Sequence, residues 1–284
     1  MHDYSGYNEN KYENGYWGID YSPNKWFSKY VKQKVFKKWI NSLKSREMLL
    51  DAGGGVGNYA FLFKNKFKKT AVLEISKKAL DAIPDKDIIK IHDSVVEPKL
   101  KDNSVDCILL VDVLEHIKEE DLEKMMTNLR KILKKDGRIL LFTSQYGYSW
   151  SLIFKRLIGD KNRLKFGEEK EGHLNRLRFV EMQSLFKKAD LIVEDYYNYS
   201  IFFQQITDSI KDNLAKLVAK FRKKQNIDFI RKGQSVKEDL RAKEENSFIK
   251  IPLRVLSWIS YLDIILFGKW LPGESIFLKL KKSE

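Results

Sequence analysis

Between Trp26 and Leu43 the apolar residues Phe27, Tyr30, Val31, Val35, Trp39 and Ile40 return every three or four positions, and the spacing predicts a helix with one buried face. From Glu47 the pattern changes. Glu47–Asp51 runs apolar into a cluster of glycines and predicts a strand. A short helix over Tyr59–Phe63, a strand over Ala71–Ile75, a helix over Ser76–Ile83 closed by Pro84, and a third strand over Ile88–Ile91 follow. Val105–Val111 is apolar almost throughout, as a strand covered on both faces must be. A charged helix over Glu119–Leu133 and a strand over Arg138–Thr143 continue the series. Strands alternating with helices predict right-handed crossovers and an α/β, doubly wound, mostly parallel sheet with helices on both faces.

Beyond Thr143 the rhythm is lost. Tyr148–Ile158 is aromatic and aliphatic with Lys155 and Arg156 inserted, Val180–Lys188 predicts a helix, and Leu191–Tyr199 and Ser275–Lys281 predict two further strands. The residues between those strands lack strand character and form an insertion. Its first half, Phe203–Phe221, places Ile206, Ile210, Leu214, Leu217 and Phe221 on one helical face. Its second half, Pro252–Leu271, is apolar nearly all round, but Arg254, Asp263 and Lys269 interrupt it, so it falls short of a membrane-spanning helix. The chain therefore divides into an N-terminal arm and helix (1–45), a core (46–200), a helical insertion or cap (201–273), and a last strand with its tail (274–284).

Composition narrows the setting. Hydrophobic residues make up 43% of the 284 positions and aromatic residues 13%, enough for a packed core and unlike a disordered chain. A single cysteine, Cys107, excludes a disulfide framework and any cluster of thiolate metal ligands. The N-terminal stretch has no apolar run of the kind a secretory signal needs, which leads to the expectation of a cytoplasmic protein. The net charge of +14 favours an anionic partner, either nucleic acid or the acidic face of a membrane. Lysine, asparagine and isoleucine are all plentiful, so coding bias stands beside a binding adaptation as a reading of that charge.

The chemistry concentrates in Leu49-Leu50-Asp51-Ala52-Gly53-Gly54-Gly55-Val56-Gly57, an acidic residue at a strand end followed by glycines at alternate positions. Such glycines let a ligand lie against the backbone and permit positive φ. The dinucleotide fingerprint G-x-G-x-x-G fails whether it is started at Gly53 or at Gly54, and an ordinary glycine-rich turn remains the plain reading of this stretch alone. About twenty residues on, Glu74 ends the second strand, where nucleotide-binding folds place a carboxylate for ribose hydroxyls. His92-Asp93-Ser94 follows the third strand.

The spacing D-x-G-x-G-x-G resembles motif I of the class I S-adenosylmethionine-dependent methyltransferases. Asp106–His116 and Leu133–Leu141 resemble the fourth strand with its turn, and the approach to the fifth strand, of the small-molecule branch that includes the ubiquinone and menaquinone C-methyltransferases. The resemblance covers residues 48 to 143. It implies a seven-stranded Rossmann-like methyltransferase sheet that ends in two antiparallel strands, with the helical insertion between them on the substrate side. It also implies S-adenosylmethionine as cofactor, with S-adenosylhomocysteine as product, held by Asp51, Gly53, Gly55, Gly57, Glu74, Ile75, Asp93, Ser94 and Val111, where Asp93 accepts from the adenine amino group. One departure is Gly54, which stands where the family often has cysteine, and Thr143-Ser144-Gln145-Tyr146 matches no family pattern.

Methyl transfer from a sulfonium rests on alignment, so a general base is optional. His116 and His173 are the candidate bases near the expected pocket; a structural or capping role is the alternative for each. No His, Asp and Glu set has metal-ligand spacing. The Asn/Asp-Pro-Pro signature of amino-methylating nucleic-acid enzymes is absent, and Cys107 lies inside an apolar strand, unsuited to cytosine-C5 chemistry. Three readings stay open: a methyltransferase acting on a small or lipophilic acceptor at an anionic membrane surface, an RNA methyltransferase, and a non-catalytic cofactor-binding interaction protein. The lysines and arginines interleaved with Trp258, Phe267 and their apolar neighbours fit the first, and helices that pack on each other as an ordinary lid are the alternative.

Overall fold

The computed structural model describes residues 28–145, 174–204, 207 and 247–283. In chain order these form α1 (Ser28–Asn41), β1 (Met48–Ala52), α2 (Asn58–Phe63), β2 (Lys69–Glu74), α3 (Lys77–Asp81), β3 (Ile88–His92), β4 (Val105–Val111), α4 (Glu119–Ile132), β5 (Leu133–Ser144), α5 (Phe179–Lys188), β6 (Leu191–Tyr199), α6 (Ser247–Leu262) and β7 (Ser275–Lys282). A 3-10 turn, Leu114–His116, follows β4, and a π turn, Asp263–Phe267, continues α6.

The sheet has seven strands in the order β3-β2-β1-β4-β5-β7-β6. β1 to β5 run parallel, and β7 lies antiparallel to both β5 and β6. The sheet thus ends, as the resemblance implied, in two strands antiparallel to each other, with β7 reversed and β6 pointing the same way as β5. The order reverses direction between β1 and β4, which makes the carboxyl ends of these strands the topological switch point where open α/β sheets bind ligands.

The helices are set by amphipathic spacing and by charge at their ends. In α4 the acidic Glu119, Glu120 and Asp121 occupy the first turn and Arg130 and Lys131 the last, as the helix dipole favours. Leu122, Met125, Met126, Leu129 and Ile132 face inward to one sheet face, together with Met182 and Phe186 of α5. On the other face, Val31, Val35, Phe36, Trp39 and Ile40 of α1 pack with Leu109, Phe142 and Phe277. β4 is covered on both sides, as its apolar run predicted. β5 begins at Leu133 rather than Arg138, because Leu133 pairs with Val105 ahead of a register shift and the charged stretch 134–136 bridges it to the regular pairing.

The far edge is fastened electrostatically. Arg138 on β5 forks onto Glu194 on β6 through two bonds of 2.9 Å, and Lys279 on the intervening β7 joins at 2.9 Å. The Arg138 guanidinium, with Lys279, holds the Glu194 carboxyl down at about 2.

α6 starts at Ser247, ahead of the predicted Pro252, and its regular turns stop at Leu262 instead of running to Leu271. Asp263 explains the break. This fully buried carboxylate accepts the amides of Ile201 and Gln204 at Oδ2 (3.0 and 3.1 Å) and those of Phe202 and Phe203 at Oδ1 (3.1 and 2.9 Å). It therefore ties the turn after α6 to the segment that leaves β6. Nearby, Thr207 and Ser260 share a 2.8 Å hydroxyl bond. The apolar segment Tyr148–Ile158 and most of the predicted helix Phe203–Phe221, along with residues 1–27, lie outside the described residues.

Candidate active site

The glycine loop between β1 and α2 takes positive φ at each alternate glycine: 68° at Gly53, 55° at Gly55 and 74° at Gly57. Side chains rarely adopt such angles, so the D-x-G-x-G-x-G spacing is a backbone requirement. At Gly53 a Cβ would also meet Val113 Cγ2 at 2.7 Å, so the loop lies directly against the end of β4. At Gly54 a Cβ would sit 2.6 Å from Asp51 Cγ, which accounts for glycine where the family often has cysteine.

Asp51 supports this loop from beneath. It is buried, and its Oδ2 accepts the Ala60 amide at 2.9 Å, satisfying one of the free donors in the first turn of α2. Burial drives its pKa up to about 7, against the Ala60 hydrogen bond that lowers it and with help from the charge of Glu74. Glu74 carries the next position. Its Oε2 accepts the Gly55 amide and its Oε1 the Ser76 amide, both at 3.0 Å, so it fixes the glycine loop and the start of α3 together. Burial raises its pKa as well. A carboxylate offers about four acceptor positions; besides these two amides the Ile75 amide also bonds to it, which leaves one for a further donor.

Asp93 organises its own loop. Its two oxygens accept the Ser94 and Lys99 amides at 2.8 Å each, and Ser94 Oγ accepts the Val96 amide at 3.2 Å. The sequence-predicted cofactor residues therefore gather at the carboxyl ends of β1, β2, β3 and β4: Asp51 with Gly53, Gly55 and Gly57, Glu74 with Ile75, Asp93 with Ser94, and Val111.

Val111 is followed by a group that sequence reasoning missed. Asp112 adopts φ 55°, a left-handed conformation uncommon outside glycine, although short aspartate side chains tolerate it. Its Oδ2 meets Lys32 Nζ of α1 at 2.5 Å. The lysine ammonium also stands 3.9 Å from the centre of the Phe142 ring. Behind Asp112, Glu115 is buried, accepting the Thr143 hydroxyl at 2.8 Å. Burial first, and then the charge of Asp112, push the Glu115 pKa up to about 7. The otherwise unassigned Thr143 thus joins β5 to the β4 turn. Glu115 stands in the quoted Asp106–His116 stretch, but only the fold shows that its carboxylate is enclosed; Lys32 had no motif to reveal it.

His116 ends the 3-10 turn beside Glu115 and is partly buried. His173 lies outside the described residues. Among the described residues no group of three or more His, Cys, Asp or Glu could hold a metal ion. Cys107 is buried in β4, and burial pushes its thiol pKa up beyond the range of a working nucleophile.

The profile of the methyltransferase-domain family matches residues 24–196, which takes in α1, the glycine loop and the sheet through most of β6. The chain belongs to the methyltransferase-domain family. An uncharacterised protein of Methanocaldococcus jannaschii is 33% identical over 107 residues, 38% of this chain, and the match spans 44% of that relative, less than half its length.

Among solved structures, the fold is similar to phosphoethanolamine N-methyltransferase 2 of Haemonchus contortus in complex with S-adenosyl-L-methionine (TM-score 0.53, 17% identity, 89% of this chain and 52% of that one). It is similar also to a Galdieria sulphuraria protein provisionally named a sarcosine dimethylglycine methyltransferase (TM-score 0.51, 17% identity, 98% and 99%). At these identities the likeness is one of fold.

Proposed function

We propose that this methyltransferase uses S-adenosylmethionine to methylate a small, lipophilic acceptor taken from a membrane surface. The residues present fit the cofactor. Glu74 keeps acceptor capacity for a ribose hydroxyl, Asp93 stands one strand further along for the adenine amino group, and the positive-φ glycine loop lets the methionyl part lie against backbone. Bound there, S-adenosylmethionine supplies a methyl group already activated on a sulfonium. The chain's share is positioning: Asp51 and Glu74 hold the loop rigid, and α1 closes the β4–β5 side through Lys32. The acceptor's lost proton has two candidate destinations among the described residues, Asp112 and His116, with His173 the third candidate from the sequence.

The observation that carries the acceptor class is the set of residues around Asp112 at the end of β4. Lys32, the cation there, is already paired with Asp112 and lies over Phe142, and Phe36, Tyr59, Phe142, Tyr199 and Phe277 form the buried aromatic cluster packed behind the pair. A small molecule with an apolar body and one polar group suits a site end that is backed by aromatic rings and whose cation is already paired. An RNA backbone wants several unpaired cations instead. The resemblance of residues 106–116 to the quinone C-methyltransferases supports the same class. The test is turnover of labelled S-adenosylmethionine against total lipid, total RNA and a soluble metabolite extract. Label in the lipid fraction is expected; label confined to RNA would replace this reading with the RNA one.

A further inference from the structure

α6 and the turn after it carry two opposite faces. Inward, Ser257, Ser260, Asp263, Ile264 and Gly268 are buried, and α6 packs against α1. Outward, Val255, Trp258, Ile265, Leu266 and Trp270 stand at helical spacing and are all at least half exposed, Trp270 at 83%. Exposed apolar residues are ordinary when scattered. A row of five with two tryptophans, on one side of one element, marks a contact surface.

Charge identifies the contact. Asp263 is the sole carboxylate between Ser247 and Leu271, and it is turned inward onto the amides of Ile201 to Gln204. Arg254 is exposed beside Val255 and the chain as a whole carries a net charge of +14, while Lys269, next to Trp270, is turned back onto Asp195. Apolar and tryptophan side chains beside an exposed arginine, on a chain of net positive charge and with the acid withdrawn, match the interface of an anionic bilayer, where indole rings sit at headgroup level. Among the described residues no helix is long and apolar enough to cross a membrane, so contact along a face is the form available to them.

We propose that the outward face of α6 and its following turn, Val255, Trp258, Ile265, Leu266 and Trp270, docks the protein on anionic lipid. This deepens the proposed function, on which it rests, by naming where a lipophilic acceptor is met. The test is co-sedimentation of the full chain with vesicles of phosphatidylcholine alone and of phosphatidylcholine with phosphatidylglycerol. Binding is expected to rise with phosphatidylglycerol, to weaken with salt, and to fall at least tenfold when Trp258→Ser and Trp270→Ser are combined. Both sites are exposed, so the variant keeps its fold, which unchanged S-adenosylhomocysteine affinity by calorimetry verifies. A chain that binds S-adenosylhomocysteine but no anionic vesicle overturns the docking face and leaves methyl transfer standing. Wild-type vesicle binding by the double variant overturns it too, as does salt-sensitive RNA binding without vesicle binding. Vesicle binding through these tryptophans, combined with turnover of soluble metabolites only, supports the face and overturns the lipophilic acceptor.

Discussion

Lys32 and Asp112, 80 residues apart in sequence, meet at 2.5 Å with unequal exposure, the lysine side chain 10% accessible and the aspartate 40%. The ammonium is enclosed between α1 and the Phe142 ring, whereas the carboxylate keeps access to water beside the switch point. The pair therefore joins the first helix to the end of β4 at the place where a substrate would pass.

Replacing Lys32 by Met removes the charge and keeps most of the stem's packing. Cutting a fully buried pair costs about 3 to 5 kcal/mol, and because Asp112 can recover water the expected loss here is smaller, about 1 to 2 kcal/mol. Urea denaturation measures it. Unchanged stability would mean that α1 is held by its apolar face alone.

Glu74→Ala removes the proposed ribose acceptor and releases the Gly55 and Ser76 amides together. Cofactor affinity should fall by about 1 to 3 kcal/mol, the range for hydrogen bonds to a charged group. Titration calorimetry with S-adenosylhomocysteine reads this directly, and wild-type affinity in the variant would remove Glu74 from the site.

The glycine loop and Glu74 were legible in the sequence because their constraints are local: positive φ demands glycine, and a strand end fixes where the following residue sits. The boundaries of β4 and β6 came through as well, β4 because a doubly covered strand leaves an unbroken apolar run. β5 was read short because Lys134, Lys135 and Asp136 mask the extended backbone. Lys32 looked like one more lysine on a polar stripe, and nothing within 80 residues of sequence names its partner. Asp263 was read as an interruption of an apolar helix, when its burial is the reason the regular turns stop there; the four amides it accepts belong to a segment about 60 residues earlier.

His116→Ala should retain turnover within about tenfold of wild type, since a general base is worth about 10² to 10⁴ in rate and in-line transfer from a sulfonium draws mainly on positioning. The assay is label transfer to the lipid extract with cofactor affinity measured alongside. A loss of a hundredfold or more at unchanged affinity would make His116 a catalytic base.

Asp263→Ala leaves four backbone donors without their acceptor. Each buried unsatisfied donor costs about 1 to 3 kcal/mol, and local opening will limit the total to about 3 kcal/mol or somewhat more. Hydrogen exchange should accelerate at Ile201 to Gln204 and along the turn after α6, with the sheet amides protected as before. Asp263→Asn keeps one accepting oxygen and should fall between the two. Equal protection in all three proteins would show that the cap does not depend on this carboxylate.

Glu115 sets a pH dependence opposite in sign to that of the Glu194 clamp. Its folded pKa, near 7, lies above the ordinary value of 4.5, so between these the folded protein binds more protons than the unfolded chain. Stability from this group is complete below about pH 4.5 and is lost as pH rises through 7. The loss is on the order of 1 to 3 kcal/mol for a buried group shifted this far. Glu194, held at about 2, contributes above pH 4.5 and loses its contribution as pH falls toward 2. Glu115→Gln keeps the Thr143 hydroxyl bond, since an amide oxygen still accepts, and removes the titration. The variant's unfolding free energy should fall less steeply than the wild type's from pH 4.5 to 7. Asp51, also near 7, leaves a residual slope of the same sign in both proteins. Parallel wild-type and variant curves across this interval would show that Glu115 ionises at its ordinary value and that water reaches it behind Asp112.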